Sequence, residues 1–260
     1  MLGVIAGDVI GSRFEWAPIK NTDFELFHPL SSFTDDTVLT IATASAILRG
    51  RPFGEAYLEF GRRYPRAGYG GNFHKWLSAT DPEPFNSWGN GSAMRVAPVG
   101  LACSDVASVL REAERSAAPT HNHPEGIKGA QATALTVFLA RRGAAKEEIR
   151  KEIAERFGYD LARTVDDIRP HYHFDVTCQG TVPEAMVAFL DSTDYEHAVR
   201  LAISLGGDSD TLGAIAGGFA QAYYRSIPAA IVTEVRAKLP AEFLDILDEF
   251  EARFGVAQPS

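Results

Sequence analysis

Residues 206–220 read GGDSDTLGAIAGGFA, in which two glycines and an Asp-x-Asp pair precede a small, apolar run. Apolar residues spaced as in this run are typical of a helix, and its glycines and alanines indicate close packing against a neighbour. Asp208 and Asp210 stand at the start of this helix, where both carboxylates can converge on one cation. The stretch therefore predicts a tightly packed helix with a polar site at its beginning.

Apolar side chains recur every three or four residues through most of the chain, and Gly or Pro closes many of the apolar runs. Strand patterns are nearly absent, so we predict an all-α protein, organised as a single compact multi-helix domain over residues 1–260. The predicted helices cover residues 36–49, 105–117, 124–142, 145–157, 194–204, 211–225, 228–238 and 241–253.

Two segments do not follow the helical pattern. Residues 65–92 are rich in Gly, Pro, Asn and aromatic side chains, and residues 158–181 contain RPHYHF. Long irregular segments in a compact domain either line a site or form loose connections. We favour the first interpretation for both segments, and we expect the tail 258–260 to be frayed.

Charge and cysteine content exclude several classes of protein. The chain has 25 Lys and Arg against 34 Asp and Glu, a formal net charge of −9 at pH 7, which argues against a broad nucleic-acid-binding surface. Cys103 and Cys178 are too few and too far apart for a disulfide framework or a thiolate zinc site. No signal-like start and no apolar run of about 18 residues is present, so we predict a cytoplasmic monomer without a membrane segment.

A second acidic cluster stands before the helix predicted at 36–49, where residues 31–37 read SSFTDDT. Capping of that helix by Thr34 or Asp35 explains this segment when it is considered alone. If the cluster meets Asp208 and Asp210 in space, the crowded carboxylates raise one another's pKa unless cations neutralise them. Hard oxygen ligands favour Mg²⁺, Mn²⁺ or Ca²⁺, and four carboxylates suffice for a two-metal site.

Two more segments are candidates for ligand contacts. The glycine-rich turn WGNGSAMR at 88–95 can present backbone N–H groups to phosphate, or it is a simple connecting turn. The histidines of HNHPEG at 121–126 are two residues apart, a spacing that does not place two metal ligands on one helical face. Such histidines orient loops or hydrogen-bond a ligand.

Five motifs follow one another along the chain: GDVIGSRFE at 7–15, FTDDT at 33–37, GNGSAMR at 89–95, HNHPEG at 121–126 and GDSDTLG at 207–213. In this order they resemble the ADP-ribosylglycohydrolases, a family that includes dinitrogenase reductase-activating glycohydrolase and the ADP-ribosyl-acceptor hydrolases. The resemblance extends from the first residues to about position 225 and implies an all-α fold with two divalent metal ions, Mg²⁺ or Mn²⁺, that hold the distal ribose of ADP-ribose.

The resemblance also implies roles for individual residues. Glu15 lies beside the metals in this family and, with Asp35 and Asp36, is a candidate for the catalytic acid–base work. The implied metal ligands are Thr34, Asp35, Asp36, Asp208, Asp210 and Thr211. The implied substrate-binding residues, around the phosphates and near the substrate, are Gly89, Asn90, Gly91, Ser92, Ala93 and His123.

The function that the resemblance implies is metal-dependent hydrolysis of the glycosidic bond between ADP-ribose and a modified acceptor, a protein side chain or a nucleobase, with release of ADP-ribose. Metals that position the sugar and a water nucleophile suit this chemistry. Two alternatives are a catalytically silent ADP-ribose-binding module and a hydrolase of a small ADP-ribose derivative. The acceptor is left open, because residues 65–88 match no family motif. Asp35 and Asp210 are expected at exposed helix starts.

Overall fold

The computed structural model describes residues 1–255, so the predicted fraying of 258–260 lies outside the described residues. Within this range, strand pairing is limited to an isolated bridge between Gly89 and Thr177, and the all-α prediction is confirmed. A short 3-10 turn, Ser12–Phe14, follows the first helix. The α-helices are α1 (Leu2–Gly11), α2 (Asp35–Arg49), α3 (Phe53–Arg63), α4 (Gly71–Ser78), α5 (Gly91–Met94), α6 (Ala97–Ala102), α7 (Val106–Ala117), α8 (Pro124–Arg141), α9 (Lys146–Phe157), α10 (Val165–Ile168), α11 (Cys178–Asp191), α12 (Tyr195–Ile203), α13 (Ser209–Tyr224), α14 (Ala229–Ala237) and α15 (Ala241–Phe254).

The helices predicted from the sequence are all present, and their ends agree to within about two residues. Local signals explain this agreement. The Thr34 hydroxyl accepts a hydrogen bond from the Asp36 N–H at the start of α2, and Gly50 ends that helix in the left-handed conformation. At the start of α12, the Asp194 carboxylate accepts from the His197 N–H.

Several helices were not predicted, among them α1, α3, α6 and α11. Helix α1 is buried along its whole length, and a helix buried on every side has no polar face to mark its period. Pro183 lies inside α11, where the sequence pattern indicates an interruption. The segments 65–92 and 158–181 are also less irregular than predicted, because α4 and α10 lie within them.

Helix α13 packs against α1, α8, α11 and α12, and its contact with α1 is the closest of these. A Cβ atom added to Gly7 would lie 2.0 Å from the Gly213 carbonyl oxygen, so the two backbones touch where both helices carry glycine. The close packing predicted from residues 206–220 is therefore confirmed. This contact brings the polar start of α13 to the end of α1, beside the 3-10 turn.

The turn before α13 also requires glycine. Gly206 has a φ of 69°, in the left-handed region, and a Cβ added there would lie 2.8 Å from the Ile19 carbonyl oxygen. A residue with a side chain would be strained in this conformation and would displace the neighbouring loop. The turn thereby directs Asp208 toward the start of α2.

One continuous cluster of buried apolar side chains extends from α1 to α15 and includes Phe189, Phe219 and Phe243. A shared core of this kind is what a single helical domain requires. Among the helices formed by residues 1–255, none combines the length and the apolar character needed to span a membrane.

Candidate metal centre and substrate cleft

The two acidic helix starts meet in space. At the start of α13, the Thr211 hydroxyl donates to Asp36 Oδ2 at the start of α2 over 3.3 Å, although the residues are 175 positions apart. Carboxylate oxygens of Glu15, Asp208 and Asp210 all lie within 4.8 Å of one another. The convergence that the two-cluster hypothesis requires is therefore present.

These carboxylates line one cleft with a volume of about 470 Å³. Asp36 and Asp210 are only 1% and 4% exposed, and Asp35 is half-buried. The expectation that Asp35 and Asp210 stand at exposed helix starts is wrong. The chain around Ala67 covers the first helix start, where the Asp35 N–H donates to the Ala67 carbonyl. Helix α1 covers the second.

The site has an excess of negative charge. Burial and the nearby Asp210 raise the pKa of both Asp35 and Asp36 well above the ordinary value for aspartate. The same two causes raise the pKa of Glu15 to about 7. Among the described residues, Asp36 Oδ1 is buried without a hydrogen-bond donor. A buried acceptor without a donor, in a cleft that other carboxylates line, fits a divalent cation.

Asp8 is a buried residue of the site that sequence reasoning missed. Its carboxylate accepts hydrogen bonds from the N–H groups of Thr34 (2.9 Å) and Thr37 (3.1 Å) and from both threonine hydroxyls. Burial and then Asp210 raise the pKa of Asp8 to about 7. Asp8 therefore holds Thr34 and Thr37, the residues on either side of Asp35 and Asp36, in position. A lone charge within the apolar run of α1 was the signal that could have identified it.

The glycine-rich turn is connected to the second acidic cluster. Asn90 Nδ2 donates to Asp208 Oδ2 over 2.7 Å, and the Asn90 N–H donates to the Val176 carbonyl over 2.7 Å. Gly89, Asn90 and Gly91 line the cleft.

Ser92 and Ala93 were also predicted to contact substrate, but they lie below the turn and do not line the cleft. The Ser92 hydroxyl donates to the Gly126 carbonyl over 2.7 Å, and Ala93 is fully buried. Their position indicates that they support the turn.

The structure places the two candidate histidines differently. His123 caps α8, with its Nδ1 accepting from the Glu125 N–H, and its ring meets the edge of Trp88. His123 does not line the cleft, whereas His121 does. The resemblance implies a substrate contact for His123 instead. Both histidines belong to the same motif, and only the turn before α8 decides which side chain points inward.

A short relay of hydrogen bonds orients His121. Arg95 Nη2 donates to the Thr120 hydroxyl over 2.8 Å, and the Thr120 hydroxyl lies 2.7 Å from His121 Nδ1. Burial lowers the pKa of His121 well below its ordinary value, which favours a neutral ring. In the tautomer whose Nδ1 accepts from the Thr120 hydroxyl, Nε2 of the neutral imidazole carries the proton. Nε2 adjoins Gly91.

For ADP-ribose, the ligand that the resemblance implies, we expect His121→Ala to weaken binding about 10-fold, because the variant loses a buried hydrogen-bonding group beside the glycine-rich turn. We expect His123→Ala to leave the affinity unchanged and to lower the free energy of unfolding by about 1 kcal/mol through loss of the α8 cap. Calorimetric titration with ADP-ribose and thermal unfolding of both variants would check this. If His123→Ala lost more affinity than His121→Ala, His123 rather than His121 would be the residue that contacts substrate.

The two irregular segments form much of the cleft wall. Tyr69 and Phe73 come from residues 65–92, and Phe174 and Val176 come from residues 158–181. Trp76 instead packs against Phe73 within the core. The preferred interpretation of both segments, that they line a site, is confirmed.

Together, the fold and the cleft define an all-α protein whose ligand site combines converging carboxylates with a glycine-rich turn. The profile of the ADP-ribosylglycohydrolase family matches residues 1–259, and the chain belongs to this family, whose members hydrolyse ADP-ribosyl linkages.

Individual relatives agree with this assignment. ADP-ribosylhydrolase ARH3 of Gallus gallus is 29% identical over 86% of this chain and 84% of its own length. ADP-ribosylarginine hydrolase Tri1 of Pseudomonas putida is 26% identical over 86% of this chain and 69% of its own length. A solved structure titled ADP-ribosylglycohydrolase-related protein complex superposes with a TM-score of 0.74 and 26% identity, over 98% of this chain and 96% of that one.

Proposed function

We propose that this protein hydrolyses the glycosidic bond between ADP-ribose and a modified acceptor and releases free ADP-ribose. The observation that carries the proposal is the convergence of Glu15, Asp208 and Asp210, with oxygens within 4.8 Å of one another, in a cleft that also contains Asp35 and Asp36. Family membership supplies the substrate class.

Two divalent metal ions, Mg²⁺ or Mn²⁺, fit the donor set. The donors are hydroxyl and carboxylate oxygens, the type that these ions prefer, and Asp36, whose Oδ1 has no hydrogen-bond donor, lines the same cleft. When bound, the ions would neutralise the carboxylates, hold ribose hydroxyls and lower the pKa of a bound water. The residues that would hold them are Thr34, Asp35, Asp36, Asp208, Asp210 and Thr211.

The diphosphate of ADP-ribose belongs at the glycine-rich turn. Gly89 and Gly91 line the cleft without a side chain, and His121 Nε2 lies beside Gly91. Arg95 carries the positive charge of the described cleft lining and orients His121 through Thr120. A diphosphate at this turn would therefore accept a hydrogen bond from His121, while the fully buried Arg95 acts only through Thr120 and His121.

Glu15 has the position of the proton-transfer residue. It is half-buried, whereas the adjacent Asp210 is almost fully buried, so Glu15 can face both the reacting bond and solvent. In the hydrolysis, water supplies a hydroxyl to the sugar carbon, and a proton goes to the leaving acceptor atom. Glu15 would deliver that proton or remove one from the attacking water. Asp35 and Asp36 line the same cleft and are the further candidates for this acid–base work.

The test is mass-spectrometric detection of free ADP-ribose from arginine-, serine- and nucleobase-linked substrates, with Mg²⁺, with Mn²⁺ and with EDTA. We expect release of ADP-ribose from at least one of these linkages, and we expect EDTA to abolish that release. In Glu15→Gln the rate of release should fall about 100-fold or more, since a positioned acid or base contributes about 10²–10⁴-fold. Binding of ADP-ribose without release from any linkage would indicate a silent binding module. Release only from a small ADP-ribose derivative would indicate the other alternative, a hydrolase of such derivatives.

A further inference from the structure

Two aromatic side chains at the mouth of the cleft are exposed to an unusual degree. Trp16 is 82% exposed and Phe174 is 47% exposed. Their rings stack on each other, with centroids 5.9 Å apart and an angle of 25° between the planes. Exposed large aromatic side chains that form one patch indicate a contact surface rather than part of a core. Both residues line the cleft that holds the carboxylates.

The pair connects the two sides of the site. Trp16 directly follows Glu15, whose carboxylate lies among the metal-ligand candidates. Phe174 precedes Val176, whose carbonyl holds the glycine-rich turn through Asn90. In the proposed function, the acceptor is attached to the ribose beside Glu15. The Trp16 ring is therefore the large exposed surface next to the leaving group.

Resting on the proposed function, we infer that Trp16 and Phe174 form the acceptor platform and that the acceptor is an ADP-ribosylated arginine. A guanidinium group is flat and cationic, and it stacks favourably on aromatic faces. Glu15, next to the platform, can accept a hydrogen bond from the guanidinium N–H groups. The platform and the carboxylate together match the shape and the charge of this group.

The other acceptors match less well. A serine linkage has neither a flat group nor a positive charge for the platform to recognise. A nucleobase is flat, but its strand brings phosphates to a cleft with five lining carboxylates, on a chain with a net charge of −9. Repulsion between these charges opposes binding of nucleic acid.

The experiment compares Trp16→Ala, Phe174→Ala and the conservative Trp16→Tyr with the unmodified protein. The matched control is Leu30→Ala, a residue that is 77% exposed and does not line the cleft. Release of ADP-ribose from an arginine-linked and a serine-linked peptide gives kcat and KM, and calorimetry gives the affinity for free ADP-ribose.

We expect the unmodified protein to prefer the arginine-linked peptide. Trp16→Ala should raise KM for that peptide about 10-fold, with a smaller change in kcat, and Trp16→Tyr should restore most of the loss. Affinity for free ADP-ribose should be unchanged in both alanine variants, and Leu30→Ala should behave like the unmodified protein.

Three results would overturn the inference. A preference for the serine-linked peptide would exclude the guanidinium. An equal loss of affinity for free ADP-ribose in Trp16→Ala would mean that the pair binds ADP-ribose itself. Unchanged kinetics in both alanine variants would show that Trp16 and Phe174 do not bind the acceptor. The absence of release from every linkage would instead reject the proposed function, so the two failures are distinguishable.

Discussion

Asp210→Asn is expected to lower kcat/KM for ADP-ribose release by about 10³-fold or more. Asp210 is buried between Glu15 and Asp208 and would hold a metal ion there. Loss of that charge removes several kcal/mol of transition-state stabilisation, and each 1.4 kcal/mol corresponds to about a factor of ten. The asparagine keeps the size of the side chain, so the measured loss reports the charge.

Thermal unfolding separates this effect from misfolding. Without metal, Asp210→Asn should unfold at the same temperature as the unmodified protein or higher, because one of several repelling carboxylates is gone. Metal at about 100 times its Kd should stabilise the unmodified protein by about 2.7 kcal/mol, and this gain should be largely lost in the variant. Asp245→Asn, an exposed aspartate on α15, is the control. Normal turnover in Asp210→Asn would reject the two-cluster site.

Gly7→Ala is expected to destabilise the protein by about 3 kcal/mol, the upper part of the usual range for overpacking. Its new Cβ would lie 2.0 Å from the Gly213 carbonyl oxygen, and backbone cannot move aside as a side chain can. For a chain of this size, that change corresponds to a melting temperature about 6–12 °C lower. Because α1 and α13 also position Asp8 and Asp210, activity should fall with the loss of packing.

Gly71→Ala is the matched control for stability alone. No atom lies within 4 Å of a Cβ added at Gly71, and its φ is not in the left-handed region. Alanine in the first turn of α4 should leave the melting temperature unchanged or raise it slightly. If Gly7→Ala unfolded at the temperature of the unmodified protein, the close contact between α1 and α13 would be wrong.

Helices with a polar face and local end signals were predictable. Helix α2 has the Thr34 cap and ends at Gly50, and α12 begins at the Asp194 cap. These signals act within a few residues, so the sequence pattern contains them. Helix α1 lacks such signals, because it has no side-chain cap and its neighbours bury every residue. Helix α11 has the Thr177 cap, but Pro183 interrupts its pattern.

The acidic residues of the site were predictable for a related reason. Asp208 and Asp210, like Asp35 and Asp36, stand together in short motifs at helix starts, where their chemistry is visible without a structure. Asp8 was missed because its four donors come from Thr34 and Thr37, and that contact depends on how α1 lies against α2.

Local sequence patterns predicted the helical class, the ends of eight helices and the two acidic motifs, because periodicity, capping and carboxylate chemistry are local properties. The tertiary structure alone decided that the motifs meet, that His121 rather than His123 lines the cleft, and that Trp16 stacks on Phe174 beside Glu15. These are contacts between residues far apart in the chain or choices of side-chain direction. They depend on how whole helices pack, which no short stretch of sequence specifies.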